Sequence, residues 1–494
     1  MKAFLRLFTC GIALIQTLVA GTVLLHDLQD APITRRDLSV PKVRRELGRF
    51  LSHSSTIFGP RDPGWDEAIG RYNGFAMPDI EIVVRPGEER DIPKIVKYCN
   101  RNGIDFMVVN RGHALTSTIG SFKGVQIDMG SLNGITIQPD GKSAWLQGGT
   151  YGGPVIETLW DEGYVATTGS CGCVGLLGPG LGGGHGRLEG LYGLVSDNFI
   201  NLNVVLADGS TVRVNETSHE DLWWAMQGAG HNFGIVTSFE LKIHPRLVDS
   251  WHYHNYVWTE DKLETVFEEL NKFHNNGSTP ELMAAILAWS FVYSGPEADA
   301  EELLQPFNEI GAVSETSGDV PYPQIASMQG TSVDDIVCAP GGAYATSTVG
   351  LQVYNITTQR QLYISFNEKI AQYPELKGGA MALHEGYSNK RVQTVDSASS
   401  AFPLRDDFHL LQMSVQAEKG SYLMDVAQQW VEEARDIWNA GQPDRLPTTY
   451  VNYAAGGESL ESIYGYEPWR LERLRTLKDK YDPNNRFRYY NPIV

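Results

Sequence analysis

Across residues 169–193 nearly every second residue is glycine. A backbone so poor in Cβ atoms gives up too much conformational freedom to settle as the interior of a helix or strand. The stretch is therefore expected to be loop. A literal G-x-G-x-x-G lies inside it at Gly178, Gly180 and Gly183, with Asp197 following at about the usual distance. The dinucleotide fingerprint needs a strand before it and a helix after it. The flanks, Gly169-Ser170-Cys171-Gly172-Cys173 and residues 186–193, offer neither. A second arrangement fits better, in which several loops far apart in sequence turn backbone N–H groups toward one pyrophosphate. Residues 110–120, 169–193 and 228–234 are the loops in question; each carries a histidine, and the second also holds two cysteines. One such loop alone would read as a tight turn.

The chain has 494 residues, a length that suggests about three domains or two large ones at ~150 residues each. Apolar residues make up 42% and charged residues 20%, values that exclude wholesale disorder, collagen and coiled coil. Glycine accounts for 51 residues, above the usual ~7%. The formal net charge of −19 repels phosphate backbones, so no nucleic-acid partner is expected. A polyanionic substrate is disfavoured for the same reason.

Lys2 and Arg6, an apolar run over residues 7–19 and the small pair Ala20-Gly21 read as an export signal spanning residues 1–21. The run is shorter than the ~20 residues of a spanning helix, which leaves an uncleaved anchor as the alternative. After cleavage no membrane association is expected. Sequons at Asn215, Asn276 and Asn355 agree with secretion. Cys10 leaves with the signal; Cys99, Cys171, Cys173 and Cys338 remain. An oxidising compartment favours pairing them, but Cys171 and Cys173 are too close in sequence for an easy mutual bridge. At least one of these two has another task.

Residues 22–55 read as a basic leader arm, with Arg35-Arg36 and Arg44-Arg45 as possible processing sites. Strands are expected at 78–86, 106–109, 125–128, 143–147, 203–206, 211–214 and 235–243. A helix is expected at 91–102, with Ile92, Ile95, Val96 and Cys99 on one side, and a short one at 219–226. Beyond Pro245 the pattern changes. Strands at 252–258, 283–293, 351–355 and 408–416 alternate with helices at 261–273, 298–309 and 422–439, and a last helix covers 468–480. That alternation fits an antiparallel sheet covered by helices.

Several segments together resemble a known family. Val109-Asn110-Arg111-Gly112-His113 resembles the histidine loop of FAD-linked oxidases of the vanillyl-alcohol-oxidase type. Gly169 to Gly175, Leu181-Gly182-Gly183-Gly184-His185-Gly186, Tyr192-Gly193-Leu194 with Asp197-Asn198, and Asp221-Leu222-Trp223-Trp224-Ala225 with Gly228-Ala229-Gly230-His231-Asn232-Phe233-Gly234 resemble the berberine-bridge-enzyme-like branch. Tyr450-Val451-Asn452-Tyr453 and Tyr481-Asp482-Pro483-Asn484-Asn485-Arg486-Phe487 complete the pattern, which is that of a secreted fungal-type member.

The resemblance implies an α+β fold. A two-part FAD-binding domain of the PCMH type (residues 56–245) would be completed by a C-terminal segment (464–494), with a substrate domain (246–463) inserted. It implies FAD bonded through His113, with Cys171 as a second attachment or Cys173 as its competitor. Cofactor contacts would fall at Arg111, Gly112, Ser117, Gly175, Gly182, Gly183, Gly184, Gly186, Asp197, Gly234, Ile235, Val236 and Asn491. Arg111 departs from the glycine usual there, and Leu404 from the usual histidine. No metal is implied. Tyr453 would act as base and Gln412 would face the substrate. A free tyrosine has pKa ~10 and needs help from a cation or hydrogen bond, for which Arg405 is a candidate. The implied reaction is hydride transfer from an alcohol, sugar or secondary metabolite to the flavin, with O2 reduced to hydrogen peroxide. A dehydrogenase with poor oxygen reactivity and a non-catalytic binding protein are the alternatives.

Overall fold

The computed structural model describes residues 38–274, 283–286 and 289–494. The export segment and the sequon at Asn276 lie outside the described residues. Strands β1 (Thr56–Phe58), β2 (Asp79–Arg85), β3 (Phe106–Val109) and β4 (Lys123–Asp128) form the first sheet, in the order β1-β2-β4-β3. β4 runs parallel to β2 and to β3, so the chain must cross over between β2 and β3. The helix Ile92–Asn102 makes that crossing. Its predicted apolar face, Ile92, Ile95, Val96 and Cys99, is buried against the sheet. Cys99 is thereby sealed in the core as a free thiol. The expected leader arm is packed structure from Val40 onward. The helix Val40–Glu46 sinks Val43 into the same core, and Arg44 of the suggested processing pair is bound to Asp62.

Then come β5 (Ile135–Ile137), β6 (Ser143–Gln147), β7 (Tyr164–Val165), β8 (Phe199–Val205), β9 (Thr211–Val214), β10 (Ile235–Lys242) and β11 (His244–Pro245). Five of them make an antiparallel sheet ordered β5-β6-β10-β8-β9, and β7 pairs with β11. The predicted hairpin is β8–β9. The final helix, Pro468–Tyr481, returns to this sheet: Leu471, Leu474 and Leu477 share a core with Leu202 and Phe239. The glycine stretch is not all loop, as expected, but holds two single-turn helices, Leu177–Leu181 and Glu189–Tyr192. Close packing permits the first, since a Cβ on Gly180 would strike Val195 and Phe199. No strand leads directly into it, so the dinucleotide fingerprint lacks its frame.

The remaining strands are β12 (Trp251–Val257), β13 (Met283–Ile286), β14 (Ser290–Tyr293), β15 (Ser314–Val320), β16 (Tyr344–Leu351), β17 (Ala380–Tyr387) and β18 (His409–Gln416). They form one sheet ordered β15-β12-β14-β13-β17-β18-β16, antiparallel at every step. Leu411, Met413 and Val415 of β18 pack on Trp430, Val431 and Trp438 of the helix Tyr422–Ala440, in a core that also takes side chains from Leu263–Phe273, Glu297–Asn308 and Ile356–Gln372. One face of the sheet is thus covered by helices, as expected. Two details differ from expectation. Residues 283–293 are a pair of strands rather than one. The strand expected at 351–355 is the end of β16 and the start of a helix, because the Asn355 side chain caps the Thr358 N–H at 3.1 Å.

Candidate active site

The other face of that sheet looks onto the glycine loops across a cavity of about 360 Å³. Strand alternation sends Leu383, Glu385 and Tyr387 of β17, and Gln412 and Ser414 of β18, into it. The facing wall holds Arg111, Gly112 and His113 from the loop after β3, with Cys171 and Gly175 from the glycine stretch. Tyr450, Asn452, Tyr453 and Tyr490 close it from the C-terminal part of the chain. A second cavity of about 200 Å³ shares Asn110, Gly112, Gly178, His231 and Tyr490 with the first and runs on to Gly234, Ile235 and Val236. The two form one long cleft.

Tyr453 donates its hydroxyl hydrogen to Glu385 Oε2 at 2.6 Å. Tyr387 donates to Glu385 Oε1 at 3.3 Å and lies 2.9 Å from the Ser170 hydroxyl. Burial raises the Glu385 carboxyl above the ordinary carboxylate range, more than the Tyr453 hydrogen bond and nearby His185 lower it. Burial, and then the Glu385 charge, hold the Tyr453 phenol well above its usual value. Tyr453 is therefore a neutral phenol at neutral pH, and its hydroxyl partner is a carboxylate rather than a cation. Arg405 does not serve. It forms a bidentate ion pair with Asp197 at 2.9 Å and reaches Ser400 at 3.1 Å. Sequence reasoning missed Glu385, whose place in an alternating strand reads as an ordinary surface carboxylate. Gln412 Nε2 donates to Ser414 Oγ at 3.0 Å and faces Leu383 across the sheet.

His113 stacks on Tyr72 at 5.1 Å, and Tyr72 stacks on Tyr344 at 5.4 Å. Burial, then the neighbouring Arg111 charge, lower its imidazole to about 4. The ring is neutral at physiological pH and keeps a free lone pair. Cys173 and Cys338 form a disulfide, so Cys173 is no competitor for attachment. Cys171 is free, with Sγ 3.5 Å from Cys173 Sγ and 3.8 Å from Cys338 Sγ. Burial raises its thiol pKa.

Residues 80–215 match the FAD binding domain family, and residues 449–494 match the berberine and berberine-like family. The chain is 53% identical to the FAD-linked oxidoreductase anuG of Penicillium roqueforti, over 93% of this chain and 94% of that one. It is 51% identical to the FAD-linked oxidoreductase OXR2 of Pyricularia oryzae, over the whole of both chains. The chain belongs to the FAD-linked oxidoreductases. Among solved structures, the glucooligosaccharide oxidase of Acremonium strictum, studied for its 6-S-cysteinyl, 8α-N1-histidyl FAD, superposes with a TM-score of 0.77 at 20% identity, covering 91% of this chain and 98% of that one. A chitooligosaccharide oxidase gives 0.77 at 20% identity, covering 91% and 99%. These two share the fold.

FAD is the cofactor of an FAD-linked oxidoreductase, and the cleft fits it. Gly169 and Gly178 line the larger cavity, and a Cβ on either would meet no protein atom within 4 Å. The Asn110 Oδ1 and His231 Nδ1 atoms are buried without a protein partner, and both residues line the cleft. Gly112 sits at φ 70, and a Cβ there would meet the Gly70 carbonyl at 2.9 Å. His113, Cys171, Arg111, Gly112, Gly175, Gly234, Ile235 and Val236 come together around the cleft, with Tyr453 and Gln412 opposite. The other expected contacts line neither cavity. A Cβ on Gly182, Gly183, Gly184 or Gly186 would strike Asn452, Phe402, Val195 or Thr168 respectively, so these glycines allow segments to pack. Ser117 is tied to the Ala455 carbonyl at 2.9 Å, Asn491 Nδ2 donates to Val451 O at 2.9 Å, and Asp197 holds Arg405.

Proposed function

We propose that this FAD-linked oxidoreductase is a secreted oxidase that removes hydrogen from a carbon bearing a hydroxyl group, on a sugar or secondary metabolite. The observation that carries the reading is the Tyr453–Glu385 hydrogen bond of 2.6 Å inside the cavity that His113 and Cys171 also line. Residues 56–245 with 464–494 hold the flavin in this reading, and residues 246–463 present the substrate. His113 and Cys171 are the attachment points. A neutral imidazole and a cysteine that reacts as its thiolate are the nucleophiles such bonds need, and both residues stand on the same wall. Bound FAD supplies the acceptor for the hydride, and dioxygen leaves as hydrogen peroxide.

The protein's own part is proton management. The substrate hydroxyl gives its proton to Tyr453 Oη as Tyr453 passes its own to Glu385 Oε2. A carboxylate with a raised pKa accepts that proton more readily than an ordinary one. Tyr387 holds the other carboxylate oxygen, so the accepting oxygen stays aimed. Gln412 and Ser414 orient the substrate from β18. Secretion is supported by the N-terminal pattern, by the disulfide and by the half-buried and exposed positions of Asn215 and Asn355; among the described residues no helix is long and apolar enough to cross a membrane.

Intact-mass measurement of acid-precipitated protein tests the attachment. The wild type should carry the mass of FAD. His113→Ala with Cys171→Ala should release it, and each single variant should retain it through the remaining bond. Release from His113→Ala alone reduces the attachment to one bond; wild type without bound mass rejects the covalent reading. Peroxide release set against dye reduction separates an oxidase from a dehydrogenase.

A further inference from the structure

A second cluster of chemistry-bearing side chains lies on the helix-covered face of the seven-stranded sheet. Register places it there. His254 pairs with Phe291, Phe291 with Ala285, and Ala285 with Gly386. This row therefore takes the parity of His384 and Gly386, opposite to that of Glu385 and Tyr387 in the cavity. His252 and His254, two apart on β12, point to the same side, and both are buried. The helix Glu297–Asn308 lies over them and supplies Glu301.

The two rings converge on one point. His252 Nε2 is 3.0 Å and His254 Nδ1 is 2.7 Å from the same atom, Glu301 Oε1. Each far nitrogen is held by a further carboxylate: His252 Nδ1 by Asp319 at 2.8 Å and His254 Nε2 by Glu315 at 3.3 Å. The other oxygen of Glu301 accepts from Asn308 Nδ2 at 2.7 Å. Tyr256 stacks on His254 at 4.0 Å and donates to Asn308 Oδ1. Outer carboxylates that fix the tautomer and aim of histidine ligands are the usual surroundings of a bound metal. Here both histidines have one.

We propose that His252, His254 and Glu301 bind a divalent cation of the zinc type. Two imidazole nitrogens and one carboxylate oxygen suit zinc rather than magnesium or calcium, which favour all-oxygen sets. The cation takes the point where the three ligand atoms meet, with Glu301 drawing back to a bond length of ~2.0–2.2 Å. Glu301 is partly exposed, so water has access to the fourth position. Three carboxylates, Glu301, Glu315 and Asp319, surround the two imidazoles and supply the negative charge that a dication balances. The ion clamps the helix Glu297–Asn308 to β12, one strand from the sheet edge and on the face away from the flavin cleft. Its effect belongs to stability and leaves turnover alone.

The test uses the full-length flavoprotein, stripped with a chelator and titrated with zinc chloride by calorimetry, with thermal melting measured in parallel. One zinc per chain should bind at micromolar concentrations and raise the melting temperature. H252Q/H254Q should lose both effects and keep its flavin absorbance. D319N, which leaves all three ligands in place, should weaken binding by roughly 10–100-fold. Wild type that shows no saturable binding at micromolar zinc overturns the proposal and leaves a cluster that holds protons only. Equal affinity in H252Q/H254Q overturns it as well. If that variant does not fold, unchanged affinity in D319N is the overturning result.

Discussion

In the proposed reaction Tyr453 and Glu385 divide one task, and each can be removed without changing the cavity's shape. Tyr453→Phe deletes the proton carrier and Glu385→Gln its acceptor. Each should lower kcat by ~10²–10⁴, the usual worth of a positioned acid–base group, with the flavin absorbance intact. Stopped-flow flavin reduction under anaerobic conditions would read the loss directly. In the proposed reaction Glu385 works as the ionised form. Since burial raises its pKa, activity should rise with pH along a limb above the ordinary carboxylate range, and Glu385→Gln should abolish that limb. At this scale the sequence was legible where chemistry imposes a pattern. His113 and Cys171 were found through their glycine-flanked motifs, and both line the cavity. Glu385 was not legible, because Ala380–Tyr387 carries no signature beyond alternation and only the fold shows which side of the sheet meets a cofactor. Tyr72 escaped for a similar reason, since its stacking partners lie far away in sequence.

Between elements, two fastenings tie the inserted sheet to the flavin half. Arg405 and Asp197 form a buried bidentate pair across 208 residues of chain. Asp197→Ala would leave a buried guanidinium unpaired, and such losses cost about 3–5 kcal/mol. Denaturant unfolding should show a drop of that size. The disulfide Cys173–Cys338 closes a sequence separation of 165 residues, and bridges over long loops typically contribute ~2–4 kcal/mol. Replacing both cysteines by serine should lower the melting temperature, while Cys171 keeps its place in the cavity. The helix Ile92–Asn102 was readable because its burial is one-sided. The strand expected at 351–355 failed because β16 mixes polar and apolar residues and is buried on both faces, so no period marks where it stops, and a single capping asparagine decides the boundary. Residues 283–293 read as one strand for a related reason: apolar residues populate both arms of the hairpin.

Over the whole molecule, buried histidines set the response to acid. Burial lowers His113, His231, His244 and His384 to about 4, and His274 to about 3. The unfolded chain takes up protons on these rings below ~6.5, whereas the folded chain refuses them until near 4. The unfolded state then binds more protons, so stability should fall as pH drops from ~6.5 toward 4. The raised carboxyls of Glu385 and Asp407 work in the opposite direction over part of that range. Melting temperatures across that window, compared between wild type and His244→Gln, would check the sign: the variant should lose less on acidification.

Ile493, one residue from the end of the chain, is fully buried in the core that also holds Leu202 and Phe239, while Phe487, Tyr489 and Tyr490 border the cleft. The compartment for the coenzyme thus has one wall made from residues 487–490, translated long after the glycine loops that form the other. A nascent chain that has not yet reached Phe487 lacks that wall, so the pocket closes on the flavin only after this segment has been made and has folded back.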